Sequence, residues 1–304
     1  MPIKITILGS NSAVPSTHRW TSAQFLKIGG GNGVLLDCGE GTQIRLKMFR
    51  IKLSQIDQIF ITHLHGDHFF GLVGLVSTFH LLGRNKPLTI FGPKELEQII
   101  RCQLDVSNTR LSYDLIFSTT NPNQAETIFD DKHYSVISFP LKHSVDTTGF
   151  LFKEKEREPN VRTEFIIKHD LSIEQIVEIK KGKDFVDADG KTHKNERITY
   201  NKVIPSSYAY CTDTMYFPEI VSIIEGADAI YHEATFLSEF QHHATEKFHS
   251  TAREAAMIAR DAKTKQLIIG HFSKRHRDNN ELVAEAAEVF PNTIAAEDGM
   301  TIEI

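Results

Sequence analysis

The sequence predicts a mixed α/β fold built from two similar halves. Short runs rich in β-branched and aromatic residues alternate with amphipathic runs of helical spacing, first over residues 4–104 and again after about residue 205. The chain has 304 residues, of which 40% are hydrophobic and 24% are charged, as in ordinary globular proteins. This composition excludes a disordered or fibrous protein, and a chain of this length can bury a substantial core.

The first half contains four predicted strands and three predicted helices. Each strand ends near a glycine or a polar turn. Pro93 opens the third helix, at a position where a helix needs no backbone donor. The predicted strands are Lys4–Gly9, Gly33–Gly39, Asp57–His63 and Leu88–Gly92. The predicted helices are Thr42–Phe49, Phe69–Leu82 and Pro93–Leu104.

The second half repeats this alternation. In the segment STARE, Thr251 is followed three residues later by Glu254, which is the signature of a capping box and starts a helix just after His249. The predicted strands are Ser207–Asp213, Ala227–Glu233, Gln266–Phe272 and Thr293–Asp298. The predicted helices are Phe217–Glu225, Thr251–Ala262 and Asn280–Val289.

Residues 153–200, between the two halves, differ from both in composition. About 22 of these 48 residues are charged, with nearly equal numbers of each sign. Such a segment buries little, so we expect it to project as a charged arm inserted in a single domain of residues 1–304. Ser172 as N-cap and Gly182 at the end bound one short helix within it. On composition alone, a solvated surface insertion is the simplest interpretation.

Charge and targeting signals narrow the classes of function. The net charge of −5 provides no overall positive field for nucleic acid, although a local patch or bound cations supply one in other proteins. The N-terminus lacks the pattern of a secretion signal, and the longest apolar run, Phe69–Leu82, is too short to span a membrane. Three widely spaced cysteines, Cys38, Cys102 and Cys211, suit a reducing compartment. We therefore expect a cytoplasmic protein without a membrane partner.

The segment FITHLHGDHFFG, residues 60–71, crowds three histidines and one aspartate into six positions. His63 and His65 stand one residue apart at the end of a predicted strand, so their side chains converge on one point. Asp67 and His68 occupy the next turn and face a second point, at roughly the 3.5–4 Å separation of two-metal sites. Imidazole and carboxylate groups suit Zn²⁺. The spacing predicts part of a dinuclear metal site.

Two coordination shells need more ligands, which we expect at the ends of other strands. His143 follows the strand-like YSVISF, Asp213 ends YAYCTD, and His271 follows LIIG. Each of these residues alone has an alternative as a hydrogen-bonded polar group at a strand end. Together they supply a carboxylate able to bridge two cations and one further histidine for each, with a position left open for water.

The HLHGDH segment with its three downstream ligands resembles the metallo-β-lactamase superfamily. Further motifs, in order over nearly the whole chain, are similar to the ribonuclease Z family. They are ILGSNSAVPSTHRWTSAQFL, LLDCGEGTQIRL, KPLTIFGP, YHEATF, HSTAREAA and GHFSKR. The resemblance implies a four-layer αββα sandwich with an inserted arm. It also implies a zinc-dependent endonuclease that removes the 3′ trailer from precursor tRNA, leaving a tRNA 3′-hydroxyl and a 5′-phosphorylated trailer.

The same resemblance assigns the metal ligands. One zinc would be held by His63, His65 and His143, the other by Asp67, His68 and His271, and Asp213 would bridge them. A hydroxide between the two ions is then the expected nucleophile. Mn²⁺ and Fe²⁺ also accept this ligand set, so the family likeness leaves the native metal open.

Other residues receive roles from the resemblance as well. Asp67 matches the proton acceptor of the family, and His249 matches a residue for phosphate contact or general acid catalysis, with a solvent-facing histidine as the alternative. His232 and Glu233 are expected to orient ligands or to pack beneath the site. The arm corresponds to a tRNA-binding exosite, with Lys180, Lys181 and Lys183 as candidate RNA contacts. A homodimer is implied too.

Two other interpretations remain open at this point. One is a hydrolase of small molecules with the same fold, such as a thioesterase, a lactonase or a small phosphodiesterase. The other is a non-catalytic, zinc-dependent RNA-binding or scaffold protein. The inserted arm and the HEATF and HSTA motifs argue against the first, and the complete ligand set, with His68 and Asp213 present, argues against the second.

Overall fold

A computed structural model of the chain describes residues 3–16, 18–29, 33–156, 158–200, 204–273, 275 and 278–304. Lys274, in the GHFSKR motif, lies outside the described residues. The larger compact unit comprises residues 3–154 and 206–304, and the smaller unit comprises residues 155–205, with the gaps just given. Throughout these ranges no helix combines the length and the apolar character that crossing a membrane requires.

The regular elements are numbered in chain order within the described ranges. The strands are β1 (Lys4–Gly9), β2 (Ala23–Lys27), β3 (Gly33–Leu36), β4 (Ile56–Phe60), β5 (Leu88–Gly92), β6 (Leu115–Thr119), β7 (Glu126–Asp130), β8 (Tyr134–Leu141), β9 (Thr147–Glu154), β10 (Asn160–Val161), β11 (Phe185–Val186), β12 (Thr192–His193), β13 (Thr199–Tyr200), β14 (Ser207–Cys211), β15 (Ala229–Glu233), β16 (Gln266–Gly270), β17 (Thr293–Ala295) and β18 (Thr301–Glu303). The α-helices are α1 (Thr42–Met48), α2 (Gly66–Phe69), α3 (Leu72–Leu81), α4 (Glu95–Val106), α5 (Thr163–His169), α6 (Ile173–Lys180), α7 (Asn195–Ile198), α8 (Val221–Ile224), α9 (Gln241–Lys247), α10 (Ala252–Asp261) and α11 (Asn280–Ala287). Short 3-10 helices span Leu53–Gln55, Pro218–Ile220 and Ser238–Phe240.

The larger unit contains two seven-stranded mixed sheets with the same internal pattern. The first has the order β18-β1-β2-β3-β4-β5-β6, antiparallel from β18 to β3 and parallel from β3 to β6. The second has the order β17-β16-β15-β14-β9-β8-β7, parallel from β17 to β14 and antiparallel from β14 to β7. The repeated pattern confirms the predicted α/β class.

Three clusters of buried apolar side chains separate four layers in the larger unit. Side chains of both sheets, including Phe60 and Tyr210, form the middle cluster. Helices α1, α3 and α4 cover the outer face of the first sheet, with Leu75 among the buried residues there. Helices α8, α10 and α11 cover the second sheet. Because side chains alternate along a strand, Ile59 faces the helices while Phe60 faces the other sheet, so β4 is buried on both faces.

The helix predicted over Phe69–Leu82 is confirmed as α3, but it begins at Leu72 instead of Phe69, because the separate short helix α2 ends at Phe69. At the break, the backbone N–H of Gly71 donates to the carbonyl oxygen of Cys38 at 2.9 Å and so leaves the helical pattern. A Cβ at Gly71 would lie 2.2 Å from the carbonyl oxygen of Gly39. Only glycine permits this approach of two backbone segments, which carries α2 toward the end of β3.

The smaller unit contains α5, α6 and α7 and two short strand pairs, β10 with β13 and β11 with β12. The helix expected between Ser172 and Gly182 is confirmed as α6, and Ser172 and Gln175 form a capping box at its start. Gly182, just after the helix, has a φ of 99°, which favours glycine. The buried core of this unit consists of Val161, Leu171, Ile179 and Ile198.

Candidate metal centre

The seven predicted ligands meet at one edge of the larger unit. The second sheet contributes three of them, from the ends of β8, β14 and β16, which run in the same direction. The carboxyl ends of strands that run in one direction lie at one edge, so residues distant in sequence converge there. At this edge the backbone N–H of Thr148 donates to the carbonyl oxygen of Thr62 at 3.1 Å and joins the two sheets.

The first cluster consists of His63, His65, His143 and Asp213. Nδ1 of His65 lies 3.1 Å from Nε2 of His63 and 3.1 Å from Nε2 of His143. Oδ2 of Asp213 lies 3.6 Å from Nε2 of His63 and 3.7 Å from Nε2 of His143. Four tetrahedral ligands of zinc are about 3.3 Å apart, so these separations fit four donors around one cation.

The second cluster consists of Asp67, His68 and His271. Oδ2 of Asp67 lies 3.5 Å from Nε2 of both histidines. The other carboxylate oxygen of Asp213, Oδ1, lies 3.3 Å from Nε2 of His68 and 3.2 Å from Nε2 of His271. Asp213 therefore presents one oxygen to each cluster, as a carboxylate shared by two cations does.

Most of the histidines are held at Nδ1 by a hydrogen bond, which leaves Nε2 directed into a cluster. Metal-binding histidines are oriented in this way, because the outer bond fixes both the tautomer and the ring plane. The Nδ1 partners are Thr62 Oγ1 for His63 at 3.0 Å, Asp37 Oδ2 for His68 at 2.8 Å, the carbonyl oxygen of Phe248 for His143 at 2.9 Å and Thr235 Oγ1 for His271 at 3.1 Å.

The second cluster also contains polar atoms that the protein itself does not satisfy. Nε2 of His68 and Nε2 of His271 are buried and have no hydrogen-bond partner. A buried polar atom without a partner costs roughly 1–3 kcal/mol. A cation at this position would give both nitrogens a ligand bond, so the donor set fits a metal.

The ionisation states of the carboxylates in the centre also fit a metal. Burial alone would raise the pKa of Asp213, but His271 and His68 hold it well below its ordinary value, and His68 does the same for Asp67. Burial lowers the pKa of His63, so this ring is neutral. Burial would also lower the pKa of His68, but Asp213 and Asp67 raise it well above its usual range. A divalent cation requires ionised carboxylates and neutral imidazoles, so the carboxylates are already in the state that binds metal, and a cation at the second cluster would replace the proton of His68.

Several residues outside the predicted set hold these ligands in position. Asp37 bonds to Nδ1 of His68, and the backbone N–H of Ala13 donates to Oδ2 of Asp67 at 2.8 Å. Ala13, Asp37 and His271 have φ angles of 58°, 52° and 58°, a region that costs non-glycine residues of order 1–3 kcal/mol. The sequence signal for Asp37 was its place in DCGEGT, directly after a predicted strand.

His249 lies beside the clusters. Its ring centroid is 5.2 Å from that of His143 and 5.4 Å from that of His271. Nδ1 of His249 donates to Oε1 of Glu233 across 2.7 Å. Burial would lower the pKa of His249, but the Glu233 carboxylate raises it to about 9. His249 therefore carries a positive charge at neutral pH.

His232 and Glu233 are neighbours on β15 but face opposite sides of the sheet, because side chains alternate along a strand. Oε2 of Glu233 accepts from Thr235 Oγ1 at 2.6 Å, and that hydroxyl in turn contacts Nδ1 of His271. Glu233 thus orients both His249 and His271. His232 instead bonds through Nδ1 to the carbonyl oxygen of Glu233 at 2.7 Å. Its side chain is fully buried.

A cavity of about 540 Å³ opens over the two clusters. Its lining includes Asp67, His249 and, from outside the clusters, the basic side chains Lys247 and Arg275. These two basic side chains favour an anionic substrate.

The three lysines predicted to contact RNA belong to the smaller unit. Lys180 is the last residue of α6, and Lys181 and Lys183 follow it. Lys181 and Lys183 both form ion pairs with Glu178. Their charges are therefore partly compensated within the unit.

Residues 3–156 of this chain match a family model described as Anti-Pycsar protein Apyc1. The chain is also 44% identical over 300 residues to ribonuclease Z of Parabacteroides distasonis, and the match covers 99% of this chain and 98% of that protein. The family expected from the motifs is confirmed.

Solved structures agree with this result. The chain superposes on the crystal structure of human tRNase Z, short form, with a TM-score of 0.72 and 28% identity, and 99% of each chain is covered. It superposes on the metallo-β-lactamase fold protein YhfI from Bacillus subtilis with a TM-score of 0.70 and 18% identity over 100% of both chains, which supports the fold alone. The predicted metallo-β-lactamase sandwich is confirmed. The chain thus belongs to the ribonuclease Z family of metal-dependent endonucleases, which are hydrolases, and through residues 3–156 to the family of the Apyc1 model.

Proposed function

We propose that this endonuclease acts on precursor tRNA and removes the 3′ trailer, leaving a 3′-hydroxyl on the tRNA and a 5′-phosphate on the trailer. The observation that carries the proposal is the position of Asp213, whose two oxygens face two separate histidine pairs. Two cations held about 3.5–4 Å apart suit phosphodiester cleavage, because they contact both the attacking and the leaving oxygen. The substrate class comes from the human relative, which is named a tRNase Z.

The cations are proposed to be two Zn²⁺ ions per subunit. The first would be held by His63, His65 and His143, the second by Asp67, His68 and His271, and Asp213 would be shared. Nitrogen-rich donor sets favour Zn²⁺, and Mn²⁺ and Fe²⁺ are the alternatives. When bound, two zinc ions lower the pKa of a water molecule and polarise the phosphodiester.

Asp67 and His249 are proposed to move the protons. The low pKa of Asp67 keeps its carboxylate ionised, and Ala13 fixes its Oδ2, so it is oriented to accept a proton from the attacking water. His249 is protonated at neutral pH and is positioned by Glu233. It is therefore suited to contact the scissile phosphate or to protonate the leaving 3′-oxygen. Both residues line the same cavity.

The charged arm, residues 153–200, is proposed to bind the tRNA. Lys180, Lys181 and Lys183 would contact RNA phosphates, and such contacts release counterions and weaken with added salt. Two of these lysines would exchange their ion pairs with Glu178 for phosphate contacts. We further propose a cytoplasmic homodimer in which the arm of one subunit serves the tRNA bound at the other.

The proposal is tested by incubating the purified protein with a precursor tRNA that bears a 3′ trailer, and by mapping both RNA ends. An unstructured RNA with the same trailer, an aryl phosphodiester and a thioester serve as parallel substrates. We expect one cut in the precursor, with a 3′-hydroxyl on the tRNA, and loss of cleavage on chelation that Zn²⁺ restores. Cleavage of the small esters alone would identify a small-molecule hydrolase, and equal cleavage of the unstructured RNA would exclude tRNA as the specific substrate.

A further inference from the structure

A separate cluster of metal-ligating side chains, which the sequence did not indicate, lies within the smaller unit. His169 ends α5, while Asp187 and His193 belong to the segment that contains β11 and β12. One ligand atom from each of the three residues lies within 4.8 Å of the others. Oδ2 of Asp187 is 2.7 Å from Nε2 of His193, and the imidazole centroids of His169 and His193 are 4.9 Å apart.

His169 has no protein partner for one of its ring nitrogens. Its Nε2 is buried and makes no hydrogen bond, as is also true of Nε2 in His68 and His271 of the metal centre. Two aromatic rings surround it, with centroids 4.4 Å away in Phe165 and 5.5 Å away in Phe185. An imidazole nitrogen in apolar surroundings costs roughly 1–3 kcal/mol if it stays unpaired.

The carboxylate of Asp187 is already oriented for a ligand. Its Oδ1 accepts the backbone N–H groups of Asp189 at 3.1 Å and Lys191 at 3.0 Å. The turn therefore holds one oxygen and leaves Oδ2 facing His193. Phe185 lies directly opposite His193 in the β11–β12 pair, so the strand register fixes the histidine as well.

The small core of the smaller unit indicates that its stability depends on such a cluster. Its buried core comprises four aliphatic side chains, with Phe165, Ile166, Ile176 and Phe185 packed against them. Units of about 50 residues rarely obtain sufficient stability from a core of this size, and natural ones add disulfides or a metal ion. The three cysteines of the chain are Cys38, Cys102 and Cys211, so residues 155–205 contain none and a disulfide is excluded.

We propose that His169, Asp187 and His193 form a structural binding site for a divalent transition metal, Zn²⁺ by its donor chemistry, which joins the end of α5 to the β11–β12 pair. Two imidazoles and one carboxylate are borderline to hard donors that suit Zn²⁺, with the remaining position available to water. The site is separate from the metal centre of the larger unit, since its ligands all lie in residues 155–205. It does not depend on the proposed substrate.

The test compares metal content and local stability in the full-length protein. Wild type, Asp187→Asn and His193→Ala are loaded with Zn²⁺, freed of unbound metal and assayed for zinc per chain by mass spectrometry. His242→Ala, in the exposed cluster of His242, His243 and Glu246, is the matched control. We expect both variants of the smaller unit to lose one zinc per chain relative to wild type and to the control.

Hydrogen exchange of residues 163–193, with and without Zn²⁺, provides the second measurement. We expect chelation to speed exchange there at least about tenfold in wild type, and to have no further effect in Asp187→Asn, which keeps the shape of the turn. Hydrolysis of an aryl phosphodiester reports on the larger unit and is expected to be unchanged in every variant. Equal zinc content in wild type and variants, or exchange in wild type that zinc does not alter, would overturn the proposal.

Discussion

The metal centre of the larger unit and the cluster of the smaller unit are supported in opposite ways. The metal centre of the larger unit lies at the edge of two seven-stranded sheets with three apolar clusters around them. That framework holds Ala13, Asp37 and His271 in left-handed backbone conformations that cost energy. The cluster of the smaller unit belongs to a unit whose buried core consists of four side chains. In the larger unit the fold supports the site, and in the smaller unit the proposed site supports the fold.

Among the variants of the metal centre, Asp213→Asn is expected to lower kcat the most. The change keeps the size of the side chain but removes the charge shared by the two clusters. Metal ions contribute several kcal/mol to transition-state stabilisation, and about 1.4 kcal/mol is a factor of ten, so we expect kcat to fall at least about 10³-fold. Because the apolar core does not depend on the cations, circular dichroism and the Tm of the larger unit are expected to stay close to wild type.

Asp228→Asn is the matched control for this variant. Asp228 is a partly buried carboxylate at the other end of the same sheet, where it accepts from Ser207 and Lys265. We expect its kcat to lie within about twofold of wild type, because Asp228 precedes β15, at the end of the strand opposite to the metal centre, and its exposed partner Lys265 makes the pair weak. A kcat for Asp213→Asn within tenfold of wild type would contradict the bridging role.

Replacing one buried isoleucine by alanine in each unit compares the stability of the two units directly. Ile179→Ala in the smaller unit and Ile230→Ala in the larger unit each delete a fully packed side chain, at a cost of roughly 2–5 kcal/mol. In the larger unit this loss lowers the Tm but leaves a folded protein. In the smaller unit we expect it to approach the whole local stability, so hydrogen exchange over residues 163–198 becomes fast while the larger unit stays protected. Equal loss of protection in both units would show that they unfold together.

Asp37→Asn tests the outer support of the metal centre. Asp37 Oδ2 bonds to Nδ1 of His68 at 2.8 Å, and Thr62 donates to the same carboxylate. An amide still occupies the space but offers one acceptor oxygen and no charge. Loss of such an outer carboxylate typically costs 10–100-fold in metal affinity or activity, and we expect a loss in that range in a zinc titration and in kcat.

Tyr210→Phe is a milder change at the same carboxylate, because it removes one hydrogen bond to Asp37 and keeps its charge. The phenol of Tyr210 donates to Oδ2 of Asp37 at 3.0 Å, so its removal leaves the carboxylate and His68 in place. We expect a smaller loss than in Asp37→Asn, because a hydrogen bond to a charged carboxylate contributes roughly 1.5–3 kcal/mol, while Asp37 keeps its charge and its contacts with Thr62 and His68. A larger loss for Tyr210→Phe than for Asp37→Asn would contradict the order of support.

The part of the metal centre that the sequence predicts is the part that sits at strand ends. His143, Asp213 and His271 follow apolar strand-like runs, and same-direction strands bring such ends together. Asp37 also follows a strand, but its role depends on a φ of 52° that turns the carboxylate beneath His68, and no periodicity encodes that angle. Ala13 acts through its backbone N–H, which every residue type but proline carries.

The cluster of the smaller unit was not predicted from the sequence, for a related reason. His169, Asp187 and His193 are separated by a helix and a turn within a segment where charged residues are common, so none of them stands out by spacing. The capping box of Thr251 and Glu254, the N-cap Ser172 and the class of fold were predictable because they depend on residues close together in sequence or on a regular period. The break between α2 and α3 was not, because it comes from contact with Gly39 in another segment.

The mildest change is expected from Glu178→Gln, which releases the two lysines of the smaller unit from their ion pairs. Lys181 and Lys183 are then available to RNA phosphates without competition from Glu178. We expect the KM for precursor tRNA to fall about two- to fivefold at low salt, with the gain disappearing near 1 M salt, where screening is nearly complete. Glu225→Gln, which releases Lys263 of the larger unit from a similar exposed pair, adds the same charge elsewhere. An equal gain in both variants would trace the effect to net charge, and no gain in Glu178→Gln would remove these lysines from the RNA-binding surface.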